Sequence, residues 1–204
     1  MKIALIGATG NMGARLTAEA KSRGHDIVAI SHNAGKLAAM EGVEKAEAKL
    51  SDAAALGAAI SGADAVILSV KFQGNDVTPV FDAMRAAGVE RLAIVGGAAS
   101  LKNVEGVRLL DTPGFPAEIA VEASPAADAL DWIKANVSDI DWVFVSPSMF
   151  LGPGERTGNF RLGKDELLVA EDGKSSISYE DLAVAIIDEL ESPKHHRERF
   201  TVGY

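Results

Sequence analysis

Short apolar runs recur along this chain, each separated from the next by room for one helix. They are Lys2–Ile6, Asp26–Ser31, a weaker one at Lys45–Leu50, Ala65–Val70, Arg91–Gly96 and Trp142–Ser146. Several are apolar at consecutive positions, the pattern of strands covered on both faces. Helix-like stretches fill the intervals at Asn11–Arg23, Ala53–Ile60, Val77–Ala87 and Ala117–Ala135, and Gly24, Gly62 and Gly88 stand where three of them should close. This alternation predicts an α/β fold with an open, doubly wound, mostly parallel sheet.

After Pro147 the rhythm changes. Phe150–Gly163 is rich in Gly and Pro, and short strands are predicted at Glu166–Ala170 and Ser175–Ser178 around the turn Glu171-Asp172-Gly173. A last helix, Tyr179–Glu191, has Ser178 as its predicted cap, with Asp181 three residues on. The final RFTVG reads as a strand. The expectation is one domain over 1–204, with 148–178 a small C-terminal lobe over the carboxyl edge of the sheet, where such folds bind ligands.

The bulk numbers narrow the function. With 204 residues, the chain can bury the core of one domain. A net charge of -9 argues against a nucleic-acid or anionic-membrane partner and leaves a small molecule as the expected one. Cysteine is absent, which excludes disulfides, thiolate metal sites and cysteine nucleophiles. The apolar run in MKIALIGATG is too short for a signal-peptide core or a membrane span, so a cytoplasmic protein is expected; as to oligomeric state, monomer and homodimer both stay open.

The first strand–helix junction reads ALIGATGNMGARL, with glycine at 7, 10 and 13. Gly7 suits the tight turn that ends the strand. Gly10 lets a ligand phosphate approach the backbone, and Gly13 lets the new helix pack closely on the sheet. The free N–H groups and partial positive charge of the helix start suit a pyrophosphate, held by Gly7, Thr9, Gly10, Asn11, Met12 and Gly13. The spacing is G-x-x-G-x-x-G rather than G-x-G-x-x-G, so the signal rests on its strand–turn–helix context.

GATGNMG resembles the short-chain dehydrogenase/reductase superfamily, in its extended and atypical branches. RLAIVGGAASL (Arg91–Leu101), GVRLLDTPGFP (Gly106–Pro116), DWVFVSPSMFLGPGERTG (Asp141–Gly158) and ISYEDLAVAIIDELESPKHHRERFTVGY (Ile177–Tyr204) are similar to the small single-domain proteins called NADH-flavin reductases. Those are relatives of biliverdin reductase B and of NmrA-like regulators. The resemblance spans nearly the whole chain. It implies a Rossmann-type sheet, an NAD(P) site, and reduction of flavins, quinones or similar acceptors, with FMN or riboflavin as substrate.

An NAD site usually has Asp or Glu at the end of the second strand. Here the strand ends Ile30-Ser31-His32-Asn33, with Lys36 a turn later. Ser31, His32, Asn33 and Lys36 could receive a 2′-phosphate, which favours NADP(H) over NAD(H). The alternative is that His32 and Lys36 are solvated loop residues. Relatives often carry Arg where His32 stands, and commonly an adenine-contacting Asp near the position of Lys49. Ser69, Val70 and Lys71 after the fourth strand, and Gly96 and Gly97 after the fifth, are expected beside the nicotinamide.

The superfamily's Tyr-x-x-x-Lys relay should fall in the Ala117–Ala135 helix. The two tyrosines are Tyr179 and Tyr204, and four residues after Tyr179 stands Ala183. Ser100 is the candidate for the accompanying catalytic serine, or else a plain loop serine. Hydride transfer to a conjugated ring can do without a tuned protein acid, since the cofactor carries the chemistry. Met149, Phe150 and Pro153 are candidates for an apolar roof over the acceptor, with core filling the alternative for the first two. Arg156 is a candidate for an acceptor or cofactor anion, or else a partner of Glu155 or Asp111. The rival functions are a non-catalytic NADP-binding sensor or regulator, similar to NmrA-like proteins, and a relative of sugar-nucleotide epimerases.

Overall fold

The computed structural model describes residues 1–204. Its first half alternates β1 (Lys2–Ile6), α1 (Asn11–Ser22), β2 (Asp26–Ser31), α2 (Ala34–Ala38), β3 (Glu44–Glu47), α3 (Ala53–Ile60), β4 (Ala65–Leu68), α4 (Thr78–Ala87) and β5 (Arg91–Val95). The second half holds α5 (Ala117–Asn136), β6 (Asp141–Pro147), β7 (Phe150–Gly152), β8 (Arg161–Gly163), β9 (Ser176–Ser178), α6 (Tyr179–Glu191) and β10 (Glu198–Gly203).

Eight strands form one sheet in the order β3-β2-β1-β4-β5-β6-β10-β8. Every pairing is parallel except that of β8, which runs antiparallel to β10. This is the doubly wound, Rossmann-type α/β fold, with the small sheet of β7 and β9 beside it. Two apolar layers flank the main sheet. On one side Ile6, Ile30, Leu68, Ile94 and Phe144 pack with α3, α4 and α5. On the other Leu5, Ile67, Val95, Val145 and Phe200 pack with α1 and α6. Strands covered on both faces need apolar side chains at consecutive positions, which is why the runs read as they do.

The helix boundaries have local causes. Asp52 caps α3 by accepting from Ala55 N at 2.9 Å, and Ser178 caps α6 by accepting from Asp181 N at 2.9 Å. Gly88 closes α4 at φ 67°, a conformation that favours glycine. The helix α2 has five residues, too few to show a 3.6-residue period in the sequence.

One expectation is corrected. Glu166–Ala170 is not a strand: it makes a single bridge, between Glu166 and Lys102. Its apolar residues pack instead of pairing, for a β-carbon at Gly203 would stand 3.1 Å from Leu168. The strand of this region is β8, which takes the otherwise free edge of β10.

Candidate functional site

The strand order reverses between β1 and β4, so their following loops part and open a crevice at the carboxyl edge. Gly7 ends β1 at φ 89°, and a β-carbon there would lie 2.0 Å from the Ser69 carbonyl oxygen. A β-carbon at Gly13 would lie 2.3 Å from the Gly7 carbonyl oxygen, so that glycine lets α1 settle onto the loop. Gly10 differs from both. Its φ is -79°, and its added β-carbon would meet only the Gly7 carbonyl, at 3.4 Å. The fold therefore has little need of glycine at position 10, whereas a group lying on the start of α1 would need it. As cap of α1, Gly10 offers no side-chain acceptor, and the first turn holds no acidic residue. The leading N–H groups are left for an anion.

Two cavities run side by side along this edge. One, of about 360 Å³, is bounded by Gly7, Thr9 and Gly10, by Ser31, His32, Asn33 and Lys36, and by Ala48 and Leu50. The other, of about 410 Å³, is bounded by Asn11, Met12, Phe72, Gln73, Gly96 and Gly97, and by Glu122, Ala123, Ala126 and Tyr179. Gly10, Ser69, Val70 and Lys71 belong to both. The crevice is thus a trough with a waist at the start of α1, the shape that two nucleotides joined by a pyrophosphate require.

Residues of the first cavity divide into supports and free groups. Ser31 is buried, with its hydroxyl 2.8 Å from that of Thr9, and it accepts from Asn33 N at 3.1 Å. The Asn33 side chain caps α2 by accepting from Lys36 N at 3.0 Å. His32 and Lys36 are exposed at the mouth. Lys49 points to solvent and takes no part in the lining, where Ala48 and Leu50 form an apolar wall fit for a flat base.

In the second cavity Gly96 has a packing reason, since its β-carbon would lie 1.9 Å from the Phe144 ring. Glu122, Gln73 and Tyr179 escaped the sequence reading. A search confined to Tyr-x-x-x-Lys on α5 passes over a tyrosine that α6 brings in from the other side of the sheet.

The remaining candidates lie elsewhere. Ser100 is buried and accepts from Arg199 Nη1 at 3.0 Å, and the same guanidinium holds Asp165, so Ser100 anchors a buried arginine. Met149 and Phe150, at 54% and 69% exposure, line neither cavity and fill no core; Pro153 is also exposed, outside both linings. Arg156 pairs with Glu19 of α1, at 2.7 Å from Nε and 2.8 Å from Nη2, and not with Glu155, Asp111 or the trough.

These contacts make residues 154–158 a strap over α6 and α1. Gly154 N donates to Glu180 at 2.9 Å, and the Ser178 hydroxyl donates to the Glu155 carbonyl at 2.9 Å. Asp181, fully buried, accepts from Thr157 N and Gly158 N, both at 2.8 Å, from the Thr157 hydroxyl at 2.6 Å and from Tyr204 at 2.8 Å. Burial works to raise its pKa, yet the hydrogen bonds from Thr157, Gly158 and Tyr204 together hold it below the usual carboxylate range.

Residues 7–193 match the family of NAD(P)H-binding proteins. This chain belongs to that family. The YwnB protein of Bacillus subtilis strain 168 is 38% identical, over 99% of this chain and 98% of its own length. A solved structure from Burkholderia pseudomallei, provisionally named an exported protein, is 40% identical with a TM-score of 0.90, and 100% of each chain is covered. Another from Streptococcus pneumoniae, provisionally named an NADH-flavin reductase, is 32% identical with a TM-score of 0.79, covering 100% of this chain and 99% of that one. No helix of the chain is long and apolar enough to cross a membrane.

Proposed function

We propose that this protein is a cytoplasmic NAD(P)H-dependent oxidoreductase that passes hydride to a flavin, quinone or similar conjugated acceptor, with NADPH preferred. The waisted trough at the start of α1 carries this reading. The pyrophosphate would lie at the waist, on the N–H groups after Gly10 and beside Lys71. The adenine would lie against Ala48 and Leu50, with His32 and Lys36 facing the ribose and its 2′-phosphate. The nicotinamide would enter the second cavity, over the bare backbone of Gly96 and Gly97. When bound, the reduced cofactor supplies the hydride. The chain's own part is to hold two flat rings together and keep water from between them. Met12, Val70, Phe72 and Ala126 supply apolar walls for that purpose.

The test is titration of the purified protein with NADPH and NADH by fluorescence, followed by addition of FMN, riboflavin or a simple quinone while the nicotinamide absorbance is watched. Tighter binding of NADPH, and loss of absorbance that depends on the acceptor, are the expected results. Tight binding with no turnover for any acceptor would replace the reductase with a dinucleotide sensor.

A further inference from the structure

The strap and the second cavity meet at Tyr179. It is the first residue of α6, between Ser178, which holds the strap at the Glu155 carbonyl, and Glu180, which holds it at Gly154 N. Arg15 of α1 clamps the same place. Its Nε donates to Glu180 at 3.2 Å, and its guanidinium carbon stands 5.7 Å from the centre of the Tyr179 ring. The strap thus pins the residues on either side of Tyr179, and a cation stands against its ring. It lines the nicotinamide-side cavity from the α1–α6 side of the sheet, while Glu122 and Ala126 of α5 reach that cavity from the other side. Tyr204, the other tyrosine, commits its hydroxyl to Asp181 and Ser178, whereas that of Tyr179 donates to no group of the chain.

We propose that Tyr179 is a catalytic residue on the acceptor side, donating its hydroxyl proton to a carbonyl oxygen of a quinone-type ring bound beside the nicotinamide. This rests on the reductase reading above. The hydride adds to one carbonyl oxygen of the quinone, and its electron pair makes the ring aromatic. The opposite oxygen takes the proton from Tyr179, breaking the tyrosine O–H bond, and Tyr179 regains a proton from solvent. The sum is one hydride and one proton added to the quinone, giving the hydroquinone. The acceptor class is a flat ring that carries carbonyl oxygens.

The experiment compares Tyr179→Phe, which keeps the ring and the Arg15 contact, with the wild type. Three quantities are measured: NADPH binding, turnover of 2-methyl-1,4-naphthoquinone in H₂O and D₂O, and fluorescence of riboflavin added with NADP⁺, which cannot reduce it. The expected result is unchanged NADPH affinity with kcat lower by about 10²-fold or more, the range for a lost proton donor. The solvent isotope effect of the wild type should change in the variant. Riboflavin should be quenched by contact with the wild-type phenol and bright in the variant. Unchanged turnover and unchanged quenching would overturn the role of Tyr179 and leave the reductase standing. Loss of NADPH affinity would make Tyr179 a cofactor or packing residue instead. A wild type that binds NADPH, reduces nothing and leaves riboflavin bright would overturn both.

Discussion

A β-carbon on Gly7 would stand 2.0 Å from the carbonyl oxygen of Ser69, so the loops after β1 and β4 touch through backbone alone. That contact sets the floor of the trough. Gly7 also sits at φ 89°, where side chains are strained. Gly7→Ala should destabilise by about 3 kcal/mol or more, combining backbone strain with overpacking of about 1–3 kcal/mol each. For a chain of this size that lowers Tm by about 6–12 °C. A thermal melt checks it, and an unchanged Tm would mean that the loops can part.

Gly10 should behave in the opposite way. Its β-carbon has room at 3.4 Å from the nearest atom, and its φ is ordinary. Gly10→Val should keep the wild-type Tm to within about 2–3 °C, as expected for a change outside the core. It should nevertheless lose most NADPH binding, because the side chain fills the space above the start of α1. Fluorescence titration and a melt on the same sample separate the two effects. A variant that folds and still binds would move the pyrophosphate off this helix.

The sequence disclosed what local pattern can carry. The strands β1, β2, β4, β5 and β6 were legible because burial on both faces demands apolar runs, and the cap Ser178 because a cap lies next to its helix. The strap was not legible. Arg156 and Glu19 are 137 positions apart, and nothing near either residue announces the other. Glu166–Ala170 misled for a related reason: an apolar run says that a segment is covered, not that it pairs. Tyr179 was hidden because its reach into the trough depends on where α6 begins relative to a loop far away in sequence.

Ser100 tests the difference between a reacting group and a support. Its hydroxyl accepts from Arg199, whose side chain is 4% exposed. Ser100→Ala should cost about 1–3 kcal/mol, the penalty for leaving a buried donor short of a partner. Turnover at a temperature where the variant is folded should stay within about twofold of the wild type, since only interactions made in the transition state alter kcat. A large fall in kcat with no change in Tm would restore Ser100 to the chemistry.

Cofactor choice should depend on the exposed pair rather than on their buried neighbours. Ser31 and Asn33 have structural partners, whereas His32 and Lys36 face the mouth of the adenosine cavity. Lys36→Ala should weaken NADPH by about 10-fold or more and NADH little, as a charged hydrogen bond is worth about 1.5–3 kcal/mol. His32→Arg should strengthen NADPH, because a guanidinium stays charged and grips phosphate with two N–H groups. Kd values for both cofactors in each variant check this. Equal losses for NADPH and NADH would place the 2′-hydroxyl end elsewhere.

The strap should make stability depend on acid. Glu19 is 5% exposed, and the hydrogen bond from Arg156 holds its carboxyl below the usual range, helped by Arg23 and opposed by burial. Asp181 is held low as well. A carboxyl depressed in the folded state binds protons more readily once unfolded. Its stabilisation is therefore complete above the unfolded values, about 3.9 for Asp and 4.3 for Glu, and drains away as pH falls through the lower folded values. Wild-type Tm should accordingly be flat above about pH 5 and fall below it, over the range in which ordinary carboxyls protonate. Glu19→Gln should be less stable at neutral pH and flatter in acid. Arg156→Ala should cost only about 1 kcal/mol, since its side chain is half exposed and Arg23 still holds Glu19 at 2.7 Å. Melts from pH 7 to pH 3 on the three proteins check the order, and parallel acid slopes for wild type and Glu19→Gln would show that the strap carries no titrating load.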